Sequence, residues 1–438
     1  MTGYFKLKWV FHYTARNISI KYDWKIEMIG ATERQSYLDW LRVLTVLLLV
    51  PFHSANIFIF NYYWWLTSTQ KNLAASIFVS VLDQYHMPLL FFVAGAATWF
   101  SLGARTGNEY LLERIKRLLI PIISCSLLFI AAQHFISQDF YFYFNPANQL
   151  KVNLAIIKPF GNFFQHYPDI LLHDLIPFTK GWNAGELWFI SYLFLYSIVL
   201  FPLFLLIRKK SGRFISWIER FFEKRGAIFL LAIPIAMVTI YPPPPIANIW
   251  EFTTFPLFYY IFFFVYGFII VSSPLIQEGL RKSGPIAIVG GLATMTIFLL
   301  LILPPADKSP LGAIYWPALG YKPGTIGYAL YWTLRSINGW FWIIGLLYLS
   351  KRFLNFSNRF LRYANEAVLP FYAMHAFSIV FIGFFILKLN MGVLPKFVII
   401  VICSLAMTLI LYELVKRNNV TRFLIGMRIK KKPDKIIS

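Results

Sequence analysis

Charge is what this chain has least of. Only 14% of its 438 residues are charged, where a soluble domain of this size carries about a quarter. That scarcity excludes an ordinary water-soluble globule. Acidic residues are scarcer still: 19 Asp and Glu stand against 41 Lys and Arg, for a formal net charge of +22. Cysteine is nearly missing. The two present, Cys125 and Cys403, both fall in apolar runs, which supports neither a disulfide framework nor a cysteine-based zinc site. No cleavable leader is expected, because the first 37 residues are polar, basic and aromatic rather than an apolar stretch closed by small residues. The first span then carries the targeting signal, and Met28 is a candidate start. No internal repeat is visible, so the inverted-repeat pattern of many secondary transporters has no counterpart here.

What the chain has in abundance is apolar length. It is 58% hydrophobic, with 45 Phe, 25 Tyr and 14 Trp suited to lipid-facing and interfacial positions. Ten windows reach bilayer-spanning length: about 38–60, 73–100, 118–137, 186–207, 227–241, 255–272, 285–303, 326–349, 367–388 and 394–415. The fifth closes at Tyr241-Pro-Pro-Pro-Pro245, which cannot continue a helix. The expected fold class is therefore all-α, a polytopic integral membrane helical bundle of about ten transmembrane helices. The positive charge does not point to nucleic acid, since the basic residues sit in short segments between apolar runs. Of the 41 Lys and Arg, 31 fall in the N-terminal tail, the even-numbered loops and the C-terminal tail, and 8 on the opposite side. That bias places both termini in the cytoplasm. The expected division is a tail over 1–37, a membrane domain over 38–415 and a basic tail over 416–438. Nothing in the pattern specifies an oligomeric state.

Ionisable groups within a bilayer are costly and are candidate functional sites by default. Arg42 and His53 lie in one such run, Asp39-Trp-Leu-Arg-Val-Leu-Thr-Val-Leu-Leu-Leu-Val-Pro-Phe-His53. On a helix they stand ~16 Å apart in depth and within about 20° of one face, with Asp39 on the same stripe. With the N terminus inside, Arg42 is near the cytoplasmic surface and His53 is deeper. The pair reads two ways. Either Arg42 is a snorkelling anchor and His53 a packed interior imidazole, or Arg42 holds a phosphate-rich donor and His53 is a general base for a hydroxyl acceptor.

Other candidates are scattered. His86 falls near mid-membrane beside Pro88, with Asp83 one turn away. Arg335 sits within a span and needs an anionic or carbonyl partner. Glu366 begins the ninth span and His375 lies deeper on it. Trp188 opens the fourth, as an interfacial anchor first and a sugar-stacking platform second. Arg114 and Arg117, at i and i+3, share a helix face at the third. In the long third loop, His166, Asp169, His173 and Asp174 read as solvated polar residues, and no metal site is expected.

Five segments in register resemble the membrane-bound acyltransferase-3 family. The run from Arg42 to His53 is similar to its Arg-x10-His signature. Tyr85-His-Met-Pro-Leu-Leu-Phe-Phe-Val-Ala-Gly95 resembles its Met-Pro-Phe-Phe-x-x-Ser-Gly helix, with Ala94 in place of the Ser. Glu113-Arg-Ile-Lys-Arg-Leu-Leu-Ile-Pro121 resembles its Arg-x-x-Arg element. Glu186-Leu-Trp-Phe189 is similar to its His-Leu-Trp-Phe segment, and Asn365-Glu-Ala-Val-Leu-Pro-Phe-Tyr-Ala-Met-His375 to its late Tyr-x-x-His motif. Val50-Pro-Phe-His53, Arg117 ahead of Ile120-Pro121, and Leu411-Tyr-Glu-Leu414 lean toward the branch that decorates periplasmic glucans with succinyl groups. His86 stands where that branch has Arg.

The resemblance implies a bacterial inner-membrane enzyme that moves an acetyl or succinyl group from cytoplasmic acyl-CoA to a carbohydrate hydroxyl outside. It implies no bound cofactor. It assigns His53, Arg42 and Asp39 to catalysis and Arg114 and Arg117 to the donor. His86, Trp188, Arg335, Glu366 and His375 become substrate-binding or supporting groups. The alternative is a transporter or exporter of a glycan or small anion in which Arg335, His53 and His375 line the pathway.

Overall fold

A computed structural model of the chain describes residues 35–60, 64–144, 167–168, 184–209, 211–224, 226–240, 254–302 and 325–430. The start at Met28, the tail before Gln35, the third-loop residues His166, Asp169, His173 and Asp174, and the four-proline run lie outside them. The described residues form helices and short connections, with no strand among them.

Helix α1 spans Ser36–Asn56, α2 Leu73–Leu82 and α3 His86–Gly103. Gly107–Arg114 is α4, opened by a capping box in which Thr106 and Glu109 each satisfy the other's backbone N–H. The chain then passes through a π turn at Ile115–Leu119, α5 at Ile120–Cys125 and a second π turn at Ser126–Ile130 into α6 at Ala131–Phe144. Pro121 stands at the start of α5 and supplies no N–H to the ladder there. A single 3-10 turn, Gly185–Leu187, leads into α7 at Trp188–Val199, and α8 follows at Phe201–Lys209. The remaining helices are α9 (Ser211–Glu223), α10 (Ala232–Ile240), α11 (Thr254–Ile270), α12 (Pro274–Ile302), α13 (Ile326–Phe353), α14 (Arg359–Ile386), α15 (Val393–Val415) and α16 (Asn419–Leu424).

Each of the ten apolar windows contains a helix, but they are not equivalent. Among the described residues, six helical segments are long and apolar enough to cross a bilayer, or seven if the pair Gly185–Val199 and Phe201–Lys209, bent by 50°, counts as one span. Ala227–Ile240 and Leu257–Ile270 are apolar but shorter than that. Helix α13 has 28 residues, yet it buries Arg335, Ser336 and Asn338. A hydropathy window registers apolar residues and not where a 3-10 turn or a bend interrupts the rod, so it does not separate these cases.

Helix α1 is the hub. It packs on α14, α2, α13, α15 and α3, which places both its ends against partner helices. Near its start the Trp40 indole donates to the Phe356 carbonyl at 2.9 Å, just before α14 begins. Asn358 caps α14, its side chain accepting from the Leu361 N–H at 2.7 Å. Helices α3 and α11 touch backbone to backbone. A Cβ on Gly95 would lie 1.8 Å from the Phe264 carbonyl oxygen, and one on Gly267 1.9 Å from that of Phe92. Small residues permit such an approach between apolar helices.

Candidate active site

Two polar centres flank α1. The inner one gathers three histidines and a glutamate. His53 is 9% exposed, and its Nε2 lies 3.4 Å from Glu186 Oε2. Its other nitrogen, Nδ1, lies 3.4 Å from the Asn56 side-chain nitrogen one turn on. These contacts agree on one tautomer: Nε2–H faces the carboxylate and Nδ1 accepts from the amide. Glu186 is held from several directions. Trp64 donates to its Oε1 at 2.8 Å and Trp65 at 3.2 Å, and the Tyr372 hydroxyl donates to its backbone carbonyl. The Trp64 ring also stacks on His53, centroids 5.0 Å apart and planes 16° apart.

His375 joins from α14, its ring 5.3 Å from that of His53. Its Nδ1–H donates to the Tyr372 carbonyl at 2.6 Å, while Nε2 is buried without a hydrogen-bond partner. His86 approaches through Phe52, whose ring lies 4.4 Å from His86 and 5.0 Å from His53. The His86 Nδ1–H donates to the Leu82 carbonyl at 2.9 Å. Asp83, one turn back, takes the Arg335 guanidinium at 2.7 Å on Oδ2, and its backbone carbonyl takes a second Arg335 N–H at 3.1 Å. Arg335 thus has both the anionic and the carbonyl partner its burial demands. Trp188 sits against Phe91, Tyr192 and Tyr260.

The second centre lies at the other end of α1. Arg42 pairs with Asp39 at 2.9 Å and also donates to the Asn365 carboxamide oxygen on α14. Asp39 therefore meets Arg42 and not His53. Glu366 meets Arg422 at 2.7 Å rather than a group near His375. Arg114 lies over the Tyr110 ring, 4.6 Å from its centroid, and its Nε is buried without a partner. Arg117 reaches Glu113 at 3.6 Å and the Gly426 carbonyl at 3.4 Å. A π turn begins immediately after Arg114 and contains Arg117, so the expected α-helical i,i+3 offset does not describe this pair. The charges of Arg42, Arg114 and Arg428 all bear on Arg117 and oppose its own, while Glu113 offsets part of them.

The structure thus brings His53, His86 and His375 together around one end of α1, and Arg42, Arg114 and Arg117 around the other. Sequence reasoning did not foresee that Glu186 faces His53, nor the roles of Asn56, Trp64, Trp65, Asn365 and Arg422. One signal for Glu186 was present: it is the lone carboxylate in the apolar run 184–209. Among the described residues no cluster of His, Cys, Asp and Glu forms a metal site.

The inner centre has the chemistry of acid–base work: a carboxylate on one imidazole nitrogen and a basic lone pair on the other. The outer centre presents guanidiniums in the number and crowding that suit phosphates. No curated protein matches the chain, and no solved structure does. A family model, acyltransferase 3, described as an acyltransferase domain, matches residues 35–413, which includes the three histidines and Glu186 of one centre and Arg42, Arg114 and Arg117 of the other. With that match across most of its length, the chain belongs to the acyltransferase-3 family of membrane proteins.

Proposed function

We propose that this protein is an O-acyltransferase of a bacterial inner membrane. It takes an acetyl or succinyl group from cytoplasmic acyl-CoA and places it on a carbohydrate hydroxyl at the outer side, a periplasmic glucan or another envelope glycan. The carrying observation is the placement of the Glu186–His53 pair and the arginine cluster at opposite ends of one helix, ~16 Å apart in depth. The excess of Lys and Arg in the tails and even-numbered loops supports ten crossings with both termini inside.

In this reading the donor's phosphates sit among Arg42, Arg114 and Arg117, with Asp39 and Asn365 orienting Arg42. The thioester arm runs inward along α1. His53 Nδ1 exchanges its long 3.4 Å contact with Asn56 for the acceptor hydroxyl and takes its proton, while Glu186 stabilises the imidazolium that forms. The hydroxyl oxygen attacks the thioester carbonyl, the C–O bond forms, and the C–S bond breaks. The departing thiolate recovers the proton from the imidazolium. Trp188 and its neighbour Tyr260 offer aromatic faces for the sugar, and the Asp83–Arg335 pair offers it polar contacts beside His86.

The test is transfer of a labelled acyl group by the purified protein in liposomes with a glycan acceptor. His53→Ala is expected to lower turnover by about 10²–10⁴-fold, the usual worth of a general base. Full activity in that variant overturns the assignment. Solute flux through the same liposomes with no release of coenzyme A identifies a transporter instead.

A further inference from the structure

The last long helix ends at Val415 and the family match at 413. The basic residues that follow read, from sequence, as a cytoplasmic tail. Residues 416–430 fold back onto the bundle. Asn418 caps α16, its side chain accepting from the Val420 N–H at 2.8 Å, and the Thr421 hydroxyl donates to the Val415 carbonyl at 2.6 Å. The Ser124 hydroxyl on α5 donates to the Leu424 carbonyl. Ile425 and Met427 are buried, at 3% and 7% exposure. Between them Gly426 turns the chain at φ +69°, and a Cβ there would lie 2.6 Å from the Pro121 ring and 2.7 Å from the Arg117 carbonyl oxygen.

Arg422 holds this segment together. An arginine that only anchors a helix end keeps its head in water, whereas Arg422 is 4% exposed. Its Nε donates to the Arg428 carbonyl at 2.8 Å, its Nη1 to the Lys416 carbonyl at 3.4 Å and its Nη2 to Glu366 at 2.7 Å. Two of these bonds close the segment on itself, and the third ties it to α14. Glu366 is next in sequence to Asn365, the acceptor for Arg42. On the opposite flank the Gly426 carbonyl accepts from Arg117, and Arg428 reaches Glu113 at 3.9 Å with its side chain 74% exposed. The segment therefore bridges the two places that carry the arginines.

We infer that residues 416–430 form a docked strap that completes the phosphate-binding face of the donor site. Arg428 contacts the phosphates directly, and Arg422 is a positioning residue that holds the strap in place. The ligand class is a nucleotide thioester bearing several phosphates, so the inference rests on the donor reading above. Arg428 adds a guanidinium to a group whose charges already oppose one another, and a bound polyanion relieves that repulsion.

The experiment uses the full chain in nanodiscs of zwitterionic lipid, titrated with coenzyme A itself. Arg428→Glu is expected to weaken binding at least ~10-fold; this side chain is exposed, so folding is not at issue. Arg422→Gln is expected to weaken it similarly and to raise hydrogen exchange at the amides of residues 422–427. Unchanged affinity in Arg428→Glu overturns the inference. So does an Arg422→Gln protein that keeps full amide protection. Loss of anionic lipid co-retained with the Arg428→Glu protein in mixed-lipid nanodiscs, with coenzyme A affinity intact, overturns it in favour of a lipid headgroup. Wild-type protein that binds no coenzyme A overturns the donor reading itself, and this inference with it.

Discussion

His375 keeps a ring nitrogen buried and unpartnered while its other nitrogen is committed to the Tyr372 carbonyl. Leaving such an atom unsatisfied costs about 1–3 kcal/mol, a cost that packing alone gives no reason to bear. The His375→Leu protein is expected to unfold at the same temperature as wild type or higher, while acyl transfer falls at least ~10-fold. A large loss of thermal stability with an unaltered rate per folded molecule would contradict this. At this scale the sequence was partly readable. Arg42, His53 and His375 stand out because an ionisable side chain in an apolar run is expensive anywhere it occurs. Their partners did not stand out. Glu186 lies 133 positions from His53 in the chain, and only the packing of the 3-10 turn beside α1 brings them together. Asn365 carries no such signal: α14 starts at Arg359, so its carboxamide lies inside the helix and is available to Arg42.

Between elements, the Asp83–Arg335 pair joins the end of α2 to the middle of α13 and also fixes the short link into α3. Its two members are not equally buried: the Arg335 side chain is 11% exposed and that of Asp83 44%. Removing the acid strands a buried guanidinium that cannot shed its charge, whereas removing the base leaves a carboxylate that can become neutral by taking up a proton. Breaking a fully buried pair costs about 3–5 kcal/mol, and the exposure of Asp83 moves this one toward the lower bound. Asp83→Asn is therefore expected to destabilise more than Arg335→Met in thermal unfolding. Equal losses, or the reverse order, would refute the asymmetry. Helical periods and proline positions were legible enough to put a helix in every window, including the four that are not simple apolar crossing rods. The π turns around Pro121 were not legible, because nothing in the run Glu113–Pro121 marks where the ladder widens. Nor were Gly95 and Gly267 recognisable as the point where α3 and α11 meet, since a glycine advertises room and not the neighbour that fills it.

For the molecule as a whole, the distribution of basic residues predicts which surfaces face which compartment. In a background with Cys125→Ala and Cys403→Ala, Asn390→Cys, between α14 and α15, is expected to react with a membrane-impermeant maleimide on intact cells. Ser357→Cys, between α13 and α14, is expected to react only after permeabilisation. The opposite pattern would invert the bundle and with it the donor and acceptor sides. One consequence follows from α1 itself. Its helical backbone, continuous from Ser36 to Asn56 although Pro51 leaves one ladder bond unmade, sets the interval between Arg42 and the imidazole of His53. Under the proposed function the helix is a ruler: it would measure the arm between a donor's charged head and its reacting carbon. Acyl groups of different size can be offered at the far mark, but a thioester whose arm is shorter or longer than that interval cannot register at both marks at once.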